Sequence, residues 1–377
     1  MVKISPFSSL RPSKELVAKV PTKAYSQYSK EEINKEKEKN KFSFLNIIDL
    51  KKDVNHKTIY TTIRKKINEF KSKKILNNTD KKSLYIYQQN SKAFSFTGLI
   101  CAVDLKDYKN FKIKTHEKTI EKRERLFAKY LSITKIHAEP VLLTYNQGGI
   151  ILDDMMREKY QLYDFIDTEG INHKIWKIDN QNNVKKITDS FNEIDSLYIA
   201  DGHHRMASSL RQKTNETCLA YILPKKQLKV FPFHRVLTTK IKYEELIKKL
   251  SKTREISIIK KPKKNINEIQ FYTNNTWHII HNNDESNNLL VEKLMRNILT
   301  PVFKIYDERN NKDIRFLPGT QPVSKLLDNI KSNEIMFIMS TINIDTIIDI
   351  ADQKLITPPK STFILPKIPS GLIMMEL

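Results

Sequence analysis

Glycine is scarce in this chain: 377 residues hold seven, at Gly98, Gly148, Gly149, Gly170, Gly202, Gly319 and Gly371. No two are separated by a single residue, so the dinucleotide-binding turn G-x-G-x-x-G is excluded. No two stand five apart, which excludes a Walker-type phosphate loop. Cysteine is scarcer still. Cys101 and Cys218 cannot build a disulfide framework or a four-cysteine zinc site. Long apolar runs are missing as well: the longer ones, such as 98–103 and 335–339, fall far short of the roughly 18–20 residues of a membrane span. The first residues, MVKISPFSSLRPSKEL, lack the apolar stretch of a secretory signal, so a soluble cytoplasmic protein with no membrane partner is the expectation. There is no G-x-S-x-G elbow and neither cysteine has a catalytic setting, which leaves a serine- or cysteine-nucleophile hydrolase without support.

What the chain has in excess is positive charge. Lysine and arginine number 66 against 43 acids, a net charge of +23. A polyanion partner is one reading: nucleic acid, an acidic membrane surface or a phosphorylated substrate. The other is a lysine-, asparagine- and isoleucine-rich composition whose charge runs, at 30–41 and 260–265, are solvated faces. No dense basic block is interleaved with aromatics as a base-stacking platform requires, so nucleic acid is possible but not favoured.

At about 100–200 residues per domain the length implies two or three domains. The pattern divides into an N-terminal segment over 1–80, a core over 81–240 and a C-terminal α+β domain over 241–377. A helix capped by Ser29 opens the chain's regular structure, followed by a β-hairpin over 83–103 and a helix over 120–131. A short strand is expected over 140–145 and a helix over 184–194. Then a strand over 197–200, a turn at Asp201-Gly202 and a helix from His203 form one unit. Strands follow at 218–224 and 230–238, then a helix over 243–251, strands at 269–272 and 277–281, and a helix over 289–299. Strands and helices mix without regular βαβ alternation, which argues for an α+β fold.

The densest chemistry lies at Asp201-Gly202-His203-His204-Arg205. A strand ending in a glycine turn that opens a helix presents backbone N–H groups at the positive end of the helix dipole, an anion site. Arg205 can grip phosphate bidentately, and His203 and His204 can donate to its oxygens or take protons. Asp201 can bind Mg²⁺, orient a hydroxyl or act as a base. The bland alternative is helix capping with Asp201 as the N-cap. Four functional residues around one of seven glycines weigh against it.

Two further segments are candidates. His116-Glu117-Lys118-Thr119 is not the zinc motif H-E-x-x-H. It offers Glu117 as a base or metal ligand with His116 and Thr119 near phosphate, or else a cap for the following helix. The terminal PPKSTFILPKIPSGL carries Lys360, Ser361, Thr362 and Lys367, where lysine beside hydroxyls suits phosphate. Proline-bounded edge strands protected by lysine read the same way. His278 and His281 read as structural, and His234-Arg235 fits an alternating strand as well as an anion contact.

Taken together, these motifs resemble the bacterial and archaeal family catalogued as domain of unknown function 1015. The resemblance runs nearly end to end: SPFSSLRPS, Val20-Pro21, Tyr25-Ser26, LYIYQQ, FTGLI, His116-Glu117-Lys118-Thr119, IADGHHR, FPFHRVL and the terminal PPKST…PK…SGL. Ser26 stands where that family usually has Asp, Lys41 where it has Pro, and Glu124-Arg125 where it has Asp-Arg. The DGHHR element is similar to that of the ParB/sulfiredoxin-like serine kinases, which phosphorylate free L-serine from a nucleotide or, in some relatives, from pyrophosphate. The resemblance implies a mixed-sheet, ParB/sulfiredoxin-like phosphate-binding core over 81–240, with the final PPKST segment returning to the site. It implies Mg²⁺, pyrophosphate or ADP/ATP as phosphate donor, and L-serine as acceptor. Glu117, Asp201, His203 and His204 are the expected catalytic set, with Asp201 also the metal ligand. Gly202, Arg205, His116, Thr119, Lys360, Ser361 and Thr362 are expected to hold phosphate. The competing expectation is a non-catalytic ParB-like regulator that binds a nucleotide or nucleic acid; a weaker one is a phosphatase-like hydrolase using the same pocket.

Overall fold

The structure, a computed structural model, describes residues 1–50, 55–79, 81–148, 152, 155–157, 160–252, 254–263, 267–281 and 289–377. Gly149 and residues 264–265 of the second lysine run lie outside the described residues. The chain forms two compact units, Met1–Leu228 with Pro366–Leu377, and Lys229–Leu365. The architecture is mixed α/β with parallel and antiparallel pairing in one sheet. Among the described residues no helix is long and apolar enough to cross a membrane.

The first unit is built on a nine-stranded sheet. Its order is Ile113–Lys114, Leu197–Asp201, Val141–Tyr145, Thr217–Pro224, Ser95–Asp104, Leu84–Asn90, Asn172–Ile178, Gln161–Ile166, with Ile4–Ser5 pairing on Ser95–Asp104. The central strands read as near-continuous apolar runs because both of their faces are covered. Gly98 is required there: a Cβ would lie 2.5 Å from the Ile222 carbonyl and 2.7 Å from the Tyr221 ring. The strand Leu197–Asp201 runs parallel to Ile113–Lys114 and antiparallel to Val141–Tyr145, and its carboxyl end carries Asp201 to the start of the helix His203–Gln212. A small second sheet joins Leu76–Asn78, Ser9–Pro12, Met374–Glu376 and Ile136–His137, which ties the two ends of the chain into this unit.

Local chemistry sets the element ends. Ser29 caps Lys30–Lys39 with a full capping box to Glu32. The helix expected over 184–194 occupies Gln181–Phe191, because the Asn180 side chain accepts from the N–H groups of Asn182 and Asn183 and starts it early. The helix expected over 120–131 runs Glu121–Thr134, with Ile120 as N-cap and Phe127 turned toward solvent.

The second unit is an antiparallel sheet ordered Ile256–Ile259, Thr276–Ile280, Ile269–Thr273, Glu334–Ile338, Lys229–Thr238, Ile314–Pro318, with Thr362–Leu365 pairing on Lys229–Thr238. Helices Tyr243–Ser251 and Leu290–Leu294 bury leucines in its core. The latter continues through a π turn, Met295–Leu299, into Thr300–Phe303. That turn absorbs Pro301, which has no N–H to donate, so the helix outlasts the expected end at 299.

His234 and Arg235 serve this core. His234 Nδ1 accepts from the Met339 N–H at 3.1 Å. All five Arg235 donors are used: two on Glu308 at 2.8 and 3.0 Å, and three on the carbonyls of Phe233, Lys360 and Pro359. With Arg235 1% and Glu308 3% exposed, removing the acid strands a buried charge. Glu308→Ala is therefore expected to cost the second unit about 3–5 kcal/mol in a denaturant melt. A loss under about 1 kcal/mol, the scale of surface pairs, would show that the guanidinium reaches water.

Candidate active site

The site grows from one backbone feature. Gly202 is the N-cap of His203–Gln212 at φ +98°, and no side chain caps that helix. A Cβ there would meet the Arg205 guanidinium at 2.9 Å in a backbone region that side chains rarely adopt, so only glycine lets Arg205 fold back over the helix start. The bland reading fails at this point. Asp201 is the last strand residue, not the N-cap, and its carboxylate is free for ions.

Those ions are two. Lys367 Nζ donates to Asp201 Oδ2 at 3.0 Å, and Arg205 Nη2 lies 3.6 Å from the same oxygen. Burial alone would raise the Asp201 carboxyl, but Lys367 and then Arg205 outweigh it and hold it well below the usual carboxylate range. The side chain remains 41% accessible, within reach of a ligand. Arg205 also donates to Glu139 Oε2 at 2.8 Å, and Glu139 takes a further hydrogen bond from the Ser370 hydroxyl.

The two motifs at 116 and 201 meet. The His116 and His203 rings pack edge to face with centroids 4.6 Å apart. His203 Nδ1 lies 3.6 Å from Glu117 Oε2, while His203 Nε2 is buried without a protein hydrogen-bond partner. Burial pushes His116 down to about 4, against the pull of Asp201. Burial and then the neighbouring His116 push His203 well below its ordinary value, so both rings are neutral near pH 7. His204 faces the other way. Its Nε2 accepts the Ile120 N–H at 3.0 Å, so it anchors the start of Glu121–Thr134. The Thr119 hydroxyl donates to Glu124, which also takes Arg211 Nη2 at 2.8 Å, linking that helix to His203–Gln212.

The structure thus gathers Glu117, His116, Asp201, Gly202, His203 and Arg205 in the first unit, with His204 and Thr119 at the joint behind them. Lys360, Ser361 and Thr362 belong to the second unit. There the Lys360 carbonyl accepts from Arg235, its ammonium sits over the Phe233 ring, and Ser361 donates to the Pro358 carbonyl. His278 and His281 have partners in that unit, although His278 Nδ1, like His203 Nε2, is buried without one. His278 Nε2 bonds the Tyr243 hydroxyl at 3.0 Å, and His281 bonds Ser257 and Glu268. Both thiols are buried, and burial pushes Cys218 up to about 11.

Sequence reasoning missed Glu139, Ser370 and the separate role of Lys367. Only the SGL ending of the terminal motif hinted at the second, and no local pattern marks the first. Among the described residues no group of three or more His, Cys, Asp or Glu side chains is arranged for a metal ion. With Asp201 already carrying two cations, the residues do not fit a protein-caged magnesium ion. Magnesium that arrives on phosphates needs at most one or two protein carboxylates. A cavity of about 640 Å³ lies elsewhere, lined by Tyr145, Asn146, Phe191, Pro224 and Lys226. It sits at the far end of the strand Val141–Tyr145 from Leu142, the residue in register with Asp201.

Residues 4–307 match the family described as Protein of unknown function (DUF1015), and the chain belongs to that family. Several solved structures are similar to it. A free serine kinase variant in complex with ADP shares 15% identity, covering 74% of this chain and 91% of its own, with a TM-score of 0.42. A C-terminally truncated SbnI from Staphylococcus aureus shares 11%, covering 71% and 82%, with a TM-score of 0.42. A conserved hypothetical protein from Pyrococcus furiosus shares 14%, covering 74% and 94%, with a TM-score of 0.39. No match was found among the curated proteins.

The buried histidines make stability depend on pH. His116 is held down to about 4, and so is His137, by burial and then by Arg205. Between that value and the ordinary 6.5 the unfolded chain binds protons that the folded chain refuses. Their contribution is therefore complete above about pH 6.5 and is lost as pH falls toward about 4. The melting temperature is expected to drop already between about pH 6.5 and pH 5, before ordinary carboxylates titrate. A flat profile across that interval would show these rings to be solvated.

Proposed function

We propose that this site transfers a phosphoryl group from pyrophosphate or a nucleotide (ADP or ATP) to the hydroxyl of free L-serine or a similar hydroxy amino acid, giving O-phosphoserine. The observation that carries the reading is the partnerless, buried His203 Nε2 at an uncapped helix start that also holds Arg205. A buried polar atom without a partner costs stability, and a ligand oxygen there would satisfy it. The backbone from Gly202 to His204, together with Arg205, holds the donor phosphates. The acceptor is chosen by the resemblance of the DGHHR element to the ParB/sulfiredoxin-like serine kinases, and the first unit is read as that type of core.

Of the two acids, Asp201 is the poorer base, because two cations hold its carboxyl low. Glu117, beside His203 and partly accessible, takes the proton of the attacking hydroxyl. The serine oxygen bonds to the terminal phosphorus as the bond to the leaving phosphate breaks, and the proton passes to Glu117. Magnesium, entering with the donor, would neutralise charge on its phosphates. Asp201 keeps Lys367 and Arg205 in place.

The deciding experiment is ³¹P NMR of the protein with Mg²⁺ and L-serine, supplied in parallel with pyrophosphate, ADP or ATP. A phosphoserine resonance is expected with one donor. Orthophosphate alone would make the protein a hydrolase. No product from any donor, in folded protein, would leave the regulator reading, which the +23 charge favours. Arg205→Ala is expected to abolish transfer with the fold intact, and wild-type turnover in that variant would remove the site from this helix. Glu117→Gln is expected to lower kcat by roughly 10²–10⁴-fold with little change in KM, the loss typical of a missing general base. If Asp201→Asn gives that signature instead, the two acids exchange roles.

A further inference from the structure

The segment Pro366–Leu377 is held in the first unit at several points. Met374–Glu376 pairs with Ser9–Pro12 and with Ile136–His137. The Ser370 N–H bonds the Thr22 carbonyl at 2.8 Å, and the Gly371 N–H bonds the Ala138 carbonyl at 3.0 Å. This segment places one side chain on each acid beside Arg205: Lys367 on Asp201 and Ser370 on Glu139.

Behind Lys367 runs a buried polar chain. The Asp167 carboxylate accepts the N–H groups of Glu169 and Ile171, and lies 3.0 Å from His173 Nε2. In the tautomer with Nε2–H donating to that carboxylate, Nδ1 is the acceptor, and the Tyr87 hydroxyl meets it at 2.7 Å. The Tyr87 oxygen accepts one Gln89 Nε2–H at 2.9 Å, and Gln89 donates to the Lys367 carbonyl, also at 2.9 Å. Tyr87, Gln89 and His173 are each at most 2% exposed. Donation diverges at Gln89: one of its amide hydrogens goes to the Lys367 carbonyl, and the other to Tyr87, from which the line runs on through His173 to Asp167. Apolar side chains of similar shape would fill the same space at little cost, because a net hydrogen bond contributes only about 1 kcal/mol. What apolar filling would not supply is a fixed position for the Lys367 main chain.

We propose that Lys367 is the second cation of the clamp on the donor phosphates, acting with Arg205, and that the line Asp167–His173–Tyr87–Gln89 positions it. Asp201 Oδ2 gathers both cationic groups at the uncapped helix start. A diphosphate brings more anionic oxygens than one carboxylate, and both groups turn from Asp201 to share it. This inference rests on the phosphoryl-transfer reading for its substrate class, but its first readout is binding alone.

The test is calorimetric titration of inorganic pyrophosphate, and separately of ADP, into wild type, Lys367→Met, Lys367→Arg, Arg205→Ala and Gln89→Leu, each with its melting temperature. Lys367→Met is expected to weaken donor binding by roughly tenfold or more, the loss of one charge-assisted contact, and Lys367→Arg to recover part of it. In turnover, Gln89→Leu is expected to raise the donor KM more than it lowers kcat, with the KM for L-serine unmoved. A purely structural role would instead lower melting temperature and kcat together and spare the donor KM, which would overturn the positioning assignment. Lys367→Met binding within about twofold of wild type, where Arg205→Ala has lost binding, would overturn the clamp. A wild type that binds donor but transfers nothing sinks only the transfer reading. A wild type that binds neither pyrophosphate nor ADP overturns the clamp, and removes these two donors from the transfer reading.

Discussion

The pairing of the Asp201 carboxylate with Lys367 and Arg205 is the constraint around which the first unit's chemistry is arranged. Asp201 stands where a strand of the large sheet gives way to a helix, and its main chain pairs with Leu142 across a register shift at that strand's end. Two cations converge on one of its oxygens, and each is held from behind. Arg205 leans on Glu139 and on the space that a residue without a Cβ leaves open. Lys367 is fixed through its main chain by a line of buried hydrogen bonds. The cost of burying these polar groups falls on a unit with an extensive apolar core, of which Leu99, Leu143, Ile199 and Ile222 are part.

Charge at the site is nearly balanced, which bears on what the protein's large positive charge means. Near Asp201 the cations Lys367 and Arg205 face Asp201, Glu139 and Glu117. The surplus therefore lies elsewhere, on surfaces such as the exposed Lys260, Lys261 and Lys263, whereas the four lysines of Lys30–Lys39 are balanced by four glutamates. Selectivity for an anion would come from the arrangement of donors and the helix start rather than from a broad basic field.

Much of this was legible because it is local. A strand, a turn and a helix at 197–212 follow from an apolar run, a lone glycine and an amphipathic repeat, and they stand where that pattern puts them. The Ser29 cap and the helix Tyr243–Ser251 were readable for the same reason. What was not legible is non-local. Nothing in the sequence around Glu139 says that it faces Arg205, since the partners are joined only through the sheet. Lys367 was read together with Lys360, Ser361 and Thr362, yet the chain passes from one unit to the other between Leu365 and Pro366. Thr119 and His204 had the right residue types for a phosphate site and serve to join two helices, a difference that only geometry reveals.

The division of the chain has a consequence for biosynthesis. The second unit interrupts the first between Leu228 and Pro366, and the strand Met374–Glu376 closes the small sheet from the far side of that interruption. A ribosome delivers Asp201, Arg205 and Glu139 long before it delivers Lys367 and Ser370. During that interval Asp201 in the nascent first unit has Arg205 beside it but not Lys367, and the small sheet has an open place. Residues 366–377 fill both places together, so the site is assembled only once synthesis has passed through the whole of the second unit.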